Sequence, residues 1–294
     1  MIETLEVARE DLTRGDVRDR AIDALERGWV VYLPQMPFEL SAGEKRLADP
    51  AHPLPLRREK PRPSGRPTVF IDQSVGKLRG ASLEGDTPVQ IVAMLDRFAD
   101  WARELVLTLF PSYEDALEQE YTTFRPFPRT EIQGVHVDAT IGRPMQGRCM
   151  MRVFTNINAA GVPRGWHVGE EFEPLARRYI KEVEGKIRDR APGLGWLVEK
   201  LGISKGRPAP YDYAMRELRQ LMKEDVEYQK TVKRTEIDFP TGATWMAFTD
   251  KVSHGARSGQ HSLDQCYIVD YRGLRDPDRS TLRILERLTG RALV

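Results

Sequence analysis

Three residues of this 294-residue chain have the types and spacing to hold a metal ion. His136 and Asp138 stand two apart in Gly134-Val135-His136-Val137-Asp138, and His254 follows more than a hundred residues later in Ser253-His254-Gly255. Two imidazoles and one carboxylate on one face of a metal are the ligand set of mononuclear non-haem iron(II), with the opposite face open to a co-substrate and dioxygen. Such a centre would make the protein an oxygenase. The spacing alone carries little: with 5 His and 44 acidic residues in 294, composition gives about 0.75 His-x-acid pairs by chance. The setting carries more. Gln133 to Val137 reads as a short strand with β-branched residues around His136. Residues i and i+2 of a strand share a side, so His136 and Asp138 can reach one metal while Val135 and Val137 face away. A surface strand carrying an unrelated His and Asp fits the same spacing, and both readings stand at this point.

The bulk properties narrow the class. The length fits one large domain or two small ones, and we expect one domain over residues 1–294. A hydrophobic fraction of 40% with 30% charged residues describes a soluble globular chain. The net charge of +1 gives no field for nucleic acid. Arg57, Arg58, Lys60, Arg62 and Arg66 cluster in a Pro-rich stretch. That run reads as a solvated loop or as a patch for anionic lipid or phosphate. Cys149 and Cys266 lie in apolar strand-like runs and make no disulfide framework, which suits a reducing cytosol. The start Met-Ile-Glu-Thr-Leu-Glu carries no basic-then-apolar signal, and no apolar run approaches the roughly 18 residues of a span. The chain is expected to be soluble or at most peripheral at a membrane. There is no Gly-x-Ser-x-Gly, no phosphate-binding Gly-rich loop and no His-Glu-x-x-His helix.

The elements that must position the three residues follow from periodicity. Helical spacing covers Asp16 to Arg27, with Asp16 as N-cap and Gly28 as terminator, and then Trp29 to Leu33 reads as a strand. Residues 50–67 read as a long Pro- and Arg-rich loop, and Val69 to Ile71 as a short strand. Thr87 to Leu109 forms one broad apolar stripe stopped by Pro111. Strands are expected at Glu118 to Phe124, Gln133 to Val137, Cys149 to Ile157 and Val162 to Val168. Helical spacing returns at Phe172 to Arg190, Leu194 to Leu201 and Tyr211 to Glu224. Strands resume at Arg234 to Phe239, Thr244 to Phe248 and Gln265 to Tyr271, and Leu282 to Leu293 closes as a helix. This order predicts an α+β fold: a mostly helical part over 1–115, a jelly-roll (double-stranded β-helix, cupin-like) core over 116–271 with a helical insertion near 172–226, and a C-terminal helix over 272–294.

These segments together resemble a known family. Val135-His136-Val137-Asp138, then Met151-Arg152-Val153-Phe154-Thr155-Asn156-Ile157-Asn158, then Gly242-Ala243-Thr244-Trp245-Met246-Ala247-Phe248 leading to Ser253-His254-Gly255, resemble the iron(II)/2-oxoglutarate-dependent dioxygenases in residue order. More narrowly, the chain resembles the 3-deoxy-D-manno-oct-2-ulosonic acid (Kdo) 3-hydroxylases from about Arg27 to the C-terminus, including Arg125-Pro126-Phe127-Pro128-Arg129. The resemblance implies that His136, Asp138 and His254 are iron ligands. It implies Fe(II), 2-oxoglutarate and O2 as cofactor and co-substrates, with ascorbate as a candidate reductant. It implies a substrate, Kdo on lipid A, that gains a 3-hydroxyl during lipopolysaccharide biosynthesis. A cytoplasmic enzyme touching the inner membrane face would follow.

The far carboxylate of 2-oxoglutarate needs a buried cation. Many relatives place it on the last barrel strand, where this chain has Asp264-Gln265-Cys266-Tyr267 and no base. The candidates are Arg152 on the central strand, favoured, and Arg257 just past His254. Arg152 lies between apolar Met151 and Val153, so a buried guanidinium there needs a partner; otherwise it is a solvent-facing charge. Asn156, with Asn158, would bond the co-substrate or satisfy a strand end. Arg125, Arg129, Arg143 and Arg148 flank the His-x-Asp strand and are candidate substrate contacts. His52 is expected to be exposed, His167 packed, and His261 not the distal ligand. Two rival readings remain at this stage. One is a cupin-like metalloenzyme on another small or sugar substrate, without 2-oxoglutarate. The other is a sugar- or lipid-binding module whose metal site has lapsed.

Overall fold

Period-two alternation governs the centre of the chain, and its strands pair into two facing sheets. A computed structural model describes residues 2–52, 54, 57–58, 68–72, 76–82, 85–128, 134–140, 143–187 and 206–294. The strands are β1 (Thr4–Glu6), β2 (Val30–Leu33), β3 (Arg57–Arg58), β4 (Val69–Asp72), β5 (Lys77–Arg79), β6 (Ala81–Ser82) and β7 (Leu117–Arg125). They continue as β8 (Cys149–Asn156), β9 (Arg164–Val168), β10 (Thr235–Phe239), β11 (Thr244–Phe248), β12 (His254–Ala256) and β13 (Ser262–Val269). The helices are α1 (Gly15–Arg27), α2 (Ala42–Leu47), α3 (Thr87–Leu109), α4 (Phe172–Glu184), α5 (Pro210–Glu224), α6 (Val226–Thr231) and α7 (Thr281–Thr289).

The large sheet runs β1-β2-β11-β8-β13-β7-β4-β5, and the small one β10-β9-β12, with β3 and β6 pairing apart. Every residue of β8 and β13 is buried, so both faces of the central sheet are covered. One face presents Met151, Val153, Met246, Phe248, Leu263 and Val269 to a core shared with Leu25 of α1 and Met94, Leu95 and Phe98 of α3. Each fully buried side chain of this kind contributes about 1.5–3 kcal/mol. The alternate positions, Arg152, Phe154, Trp245 and Asp264, point the other way, towards the small sheet. This two-sheet α+β architecture is the one expected, and it leaves polar side chains on an interior face.

Several boundaries differ from the sequence reading. Helix α1 starts at Gly15 with Arg14 as N-cap; Asp16 stands in the first turn and pairs with Arg14 at 3.0 Å rather than capping. Helix α7 ends at Thr289, where Gly290 takes the left-handed conformation (φ 65°) that removes the steric cost of a Cβ. The expected strand at Gln133 to Val137 is, in its described part, a single β-bridge at His136. Helix α4 ends at Glu184, short of the expected Arg190. Residues 188–190, the expected helix at Leu194 to Leu201, and Lys60, Arg62 and Arg66 lie outside the described residues. Arg57 and Arg58 of the expected loop pair with Ser82 and Ala81. Among the described residues no helix is long and apolar enough to cross a membrane.

Candidate metal centre

The site begins at a glycine. A Cβ on Gly134 would lie 2.5 Å from Gln229 Oε1 and would push that amide aside, so the glycine leaves the room Gln229 occupies. Gln229 uses that closeness. Its Oε1 accepts from Val135 N at 3.0 Å, and its Nε2 donates to Val135 O at 2.8 Å and to Met222 O at 2.7 Å. Val135 and Val137 are fully buried in the core formed by α4, α5 and α7. Alternation then turns His136 and Asp138 to the opposite side. His136 and His254 form the hydrogen-bonded pair of an antiparallel bridge, each N–H donating to the other's carbonyl at 3.0 Å. Asp138 N donates to Thr249 O at 2.7 Å, which sets the carboxylate beside the two rings.

The ligand atoms of His136, Asp138 and His254 all lie within 4.8 Å of one another. His136 Nε2 is 3.8 Å from Asp138 Oδ1. Backbone carbonyls fix the tautomers. Gly134 O accepts from His136 Nδ1 at 3.0 Å, and Val252 O accepts from His254 Nδ1 at 2.8 Å. A carbonyl only accepts, so both Nδ1 atoms carry the proton and both Nε2 atoms carry the lone pair a metal needs. Burial, then the neighbouring His254, pushes the His136 imidazolium down to about 4. Burial lowers His254 as well. Burial alone would raise the Asp138 carboxyl, but His254 and Arg152 outweigh it and hold it well below the usual carboxylate range. Two neutral imidazoles and one carboxylate, gathered on one side, fit a divalent iron with open positions. The ring of Trp166 stacks on His254 at 5.0 Å, and Phe154 meets Trp166 edge-on at 4.8 Å, giving the site an aromatic wall.

Behind Asp138 runs a chain of charges. Arg152 Nη1 lies 3.3 Å from Asp138 Oδ2, and Arg152 Nη2 pairs with Asp264, which is fully buried. Arg125 Nε donates to the other Asp264 oxygen at 2.7 Å. Arg152 therefore faces the interior with the partner it needs, supplied by Asp264 of β13. Its ring neighbours are Tyr121 and Phe154, with centroids 5.7 and 5.2 Å from the guanidinium carbon.

The other expected contacts are placed differently. Arg257 follows β12 on the face opposite His254, and it bonds Asp238 at 2.6 Å, away from the metal ligands. Asn156 donates to Val162 O and Phe239 O, both at 2.9 Å, and accepts from Asn158 N; it ties a strand end rather than facing a co-substrate. The arginines do not form one cluster. Arg125 and Arg148 stand at opposite ends of the β7–β13–β8 pairing. Arg143 pairs with Asp72 at 3.0 Å and with Glu120, and Arg148 with Glu118 at 2.7 Å. Arg129 lies outside the described residues. His167 is buried on β9, His261 is buried away from the ligand triad, and His52 pairs with Asp49 at a surface loop.

One residue near the site escaped the sequence reading. Arg219 of α5 is half-buried, one turn before Met222, whose carbonyl Gln229 ties to the ligand strand. Its spacing looks like that of any helix-surface arginine, so no local signal marks it.

Comparison with known proteins agrees with this geometry. The family model described as 3-deoxy-D-manno-oct-2-ulosonic acid (Kdo) hydroxylase matches residues 9–292. Crystal structures of the Kdo hydroxylase KdoO, a non-haem Fe(II) α-ketoglutarate-dependent dioxygenase, superpose with a TM-score of 0.85. One is the complex with cobalt(II) and another that with succinate and Fe(III); each is 31% identical, over 99% of this chain and 97% of that one. A third, with α-ketoglutarate and Fe(III), is 30% identical over the same shares with the same TM-score. No curated protein matches the chain. The match over nearly its whole length, joined to the ligand triad, makes this chain a member of the Kdo hydroxylase family.

Proposed function

We propose that the protein is an iron(II)/2-oxoglutarate-dependent hydroxylase that adds a hydroxyl at C3 of the Kdo sugar carried on lipid A. The observation that carries this reading is the triad of His136, Asp138 and His254, with both Nε2 lone pairs and an ionised carboxylate on one side. The substrate name supports the position: a 3-deoxy sugar acid has a CH2 at C3 with no oxygen on it. When bound, ferrous iron, 2-oxoglutarate and dioxygen supply the oxidation, and succinate and carbon dioxide are the co-products.

The residues of this chain prepare that chemistry. His136 and His254 bind through Nε2, and the carbonyls of Gly134 and Val252 hold their rings in one orientation. Arg152 takes Asp138 Oδ2, which turns Oδ1 towards the metal position. The charges behind the site balance: Asp138 and Asp264 match Arg152 and Arg125. A metal dication then matches the 2-oxoglutarate dianion. The far carboxylate of the co-substrate is held by Arg152, with Arg125 as the second cation of the same chain. Trp166 and Phe154 exclude water from the His254 side. A lipid-linked acceptor lies in a bilayer, so the enzyme works as a peripheral visitor at the cytoplasmic face of the inner membrane.

The test is anaerobic titration with ferrous iron and 2-oxoglutarate, followed by oxygen and Kdo-lipid A. The expected result is a visible charge-transfer band, then succinate and a product heavier by one oxygen. Iron binding without succinate would favour a cupin-like enzyme that needs no 2-oxoglutarate. No iron binding would mean a lapsed metal site.

A further inference from the structure

Helix α5 is fixed at both ends, at its start to the turn before β8 and at its end, through Gln229, to the strand that carries His136. Near its start, Asp212 Oδ1 accepts from Met145 N at 2.6 Å and Gln146 N at 3.1 Å, while Oδ2 accepts from Ala209 N at 2.7 Å. Near its end, Met222 O accepts from Gln229 Nε2, and Gln229 in turn grips Val135, the residue before His136. Arg219 lies one turn before Met222 and so is carried at a set height beside the ligand strand.

Its surroundings are unusual for a helix arginine. The neighbours that could pair with it at three and four residues' distance are Met215, Arg216, Met222 and Lys223, none of them acidic. Two of the four repel it. Its Nε is buried and has no hydrogen-bond partner, and among the described residues no carboxylate or carbonyl engages its guanidinium. The Nε atoms of Arg152, Arg234 and Arg257 are also buried without a partner, but their other guanidinium nitrogens are answered; Arg219 has none answered, and an unanswered buried donor costs about 1–3 kcal/mol. Arg152 and Arg125 have Asp264, and Arg143 has Asp72 and Glu120. Among the described residues Arg219 has no ion pair; Arg234, beside Gln229, has none either, but its guanidinium is answered by the Gln229 carbonyl and amide oxygens. Lys223, four residues on, follows Arg219 along the same side of the helix and is exposed.

We propose that Arg219 grips the C1 carboxylate of the acceptor sugar, and by doing so decides which carbon faces the metal; this rests on the hydroxylase reading above. In a 2-ulosonic acid C1 is joined to C2, and C2 to C3. A planar fork on the carboxylate therefore fixes C3 two bonds away, which a point charge would not do. Arg219 is a substrate-orienting residue, while Arg152 and Arg125 serve the co-substrate. The acceptor supplies the anion that Arg219 lacks, so binding the sugar removes the cost of its unanswered donor.

The experiment uses the iron-loaded enzyme with Kdo-lipid A in detergent micelles and with the C1 methyl ester of the same glycolipid. Wild type that forms no succinate with Kdo-lipid A refutes the hydroxylase reading itself and is visible before any variant is made. With activity present, Arg219→Met is expected to keep its iron and 2-oxoglutarate titration within twofold of wild type. Its KM for Kdo-lipid A should rise tenfold or more, and it should form more succinate than hydroxylated sugar, because a loosely held C3 is missed. Arg219→Lys should recover part of the coupling. The methyl ester should cost wild type a similar factor and cost Arg219→Met nothing further. Three results would overturn the proposal: an unchanged acceptor KM, a tenfold loss of 2-oxoglutarate affinity with the acceptor KM intact, or ester and mutation losses that multiply. If Arg219→Met does not fold, the ester decides on wild type and Arg219→Lys alone, and an ester as good as the acid overturns the assignment.

Discussion

The Arg152 guanidinium stands between two carboxylates, 3.3 Å from Asp138 Oδ2 on one side and paired with the fully buried Asp264 on the other. It therefore orients a metal ligand and neutralises a core charge at once. Arg152→Met leaves Asp264 with Arg125 alone. Breaking a buried pair costs about 3–5 kcal/mol, and the remaining Arg125 keeps the loss near the lower bound. Urea unfolding of the metal-free protein should show that loss. Anaerobic titration should show weaker 2-oxoglutarate binding with iron still bound, and unchanged co-substrate affinity would refute the assignment. Adding Asp264→Asn should return part of the stability, because a buried carboxylate that has lost one of its two cations is then gone.

The triad makes a direct prediction for metal binding. His136→Ala or His254→Ala removes one of three ligands and should lower ferrous affinity at least a hundredfold. Cobalt(II) offers a visible probe for the same site. Wild type should gain thermal stability with added cobalt in proportion to the logarithm of its concentration. Either variant should lose that gain, and a variant that keeps it would move the metal elsewhere.

The bond from Gln229 to the ligand strand is testable apart from the ligands. Gln229→Ala frees Val135 N, Val135 O and Met222 O together. Groups that orient metal ligands typically change affinity about 10–100-fold when removed. Iron affinity should fall in that range, and Gly134→Ala should resemble it, since the new Cβ displaces the Gln229 amide. Equal iron affinity in both variants and wild type would show that the helical insertion does not support the site.

His261 gives the protein an acid-side weakness. Burial lowers its imidazolium to about 4 in the folded chain, against 6.5 when unfolded. The folded state thus binds fewer protons between these values, so the stabilisation is present above about 6.5 and is lost as pH falls towards 4. At pH 5 the loss is about 2 kcal/mol. Asp250 works in the opposite sense, because burial raises its carboxyl to about 7. The readout is therefore the difference between wild type and His261→Asn. Asparagine tolerates the positive φ of 54° at that position. Urea midpoints at pH 7.5 and 5 should show about 2 kcal/mol less acid destabilisation in the variant; parallel changes in the two proteins would reject this account.

How much of this was legible depends on whether a signal is local. The alternation of Cys149–Asn156 is local, so that strand and its faces could be read, whereas the last strand starts at Ser262, three residues before the expected Gln265, and ends at Val269. His136 and Asp138 share a side for the same reason. The need of Arg152 for a partner was legible from its apolar neighbours, but the partner was not. Asp264 stands on the strand that carries no base, and only pairing across β8 and β13 shows that its carboxylate answers Arg152. Arg257, the second candidate cation, bonds Asp238, because strand parity past His254 sends it outward, a pairing the sequence does not show. Asn156 was ambiguous because a strand-end amide and a ligand contact look alike in sequence. Arg219 and Gln229 belong to helices whose placement is a tertiary fact, and their spacing alone reads as ordinary surface.

The bridge between His136 and His254 joins two stretches that leave and rejoin at the same pair of residues, with the helical insertion wholly between them. Lengthening such an excursion costs little, since closure entropy grows only with the logarithm of its length. The oxidising centre can thus stay constant while the insertion is reshaped by evolution or by design. A chimera that exchanges only residues 172–231 would ask whether acceptor choice travels with that segment.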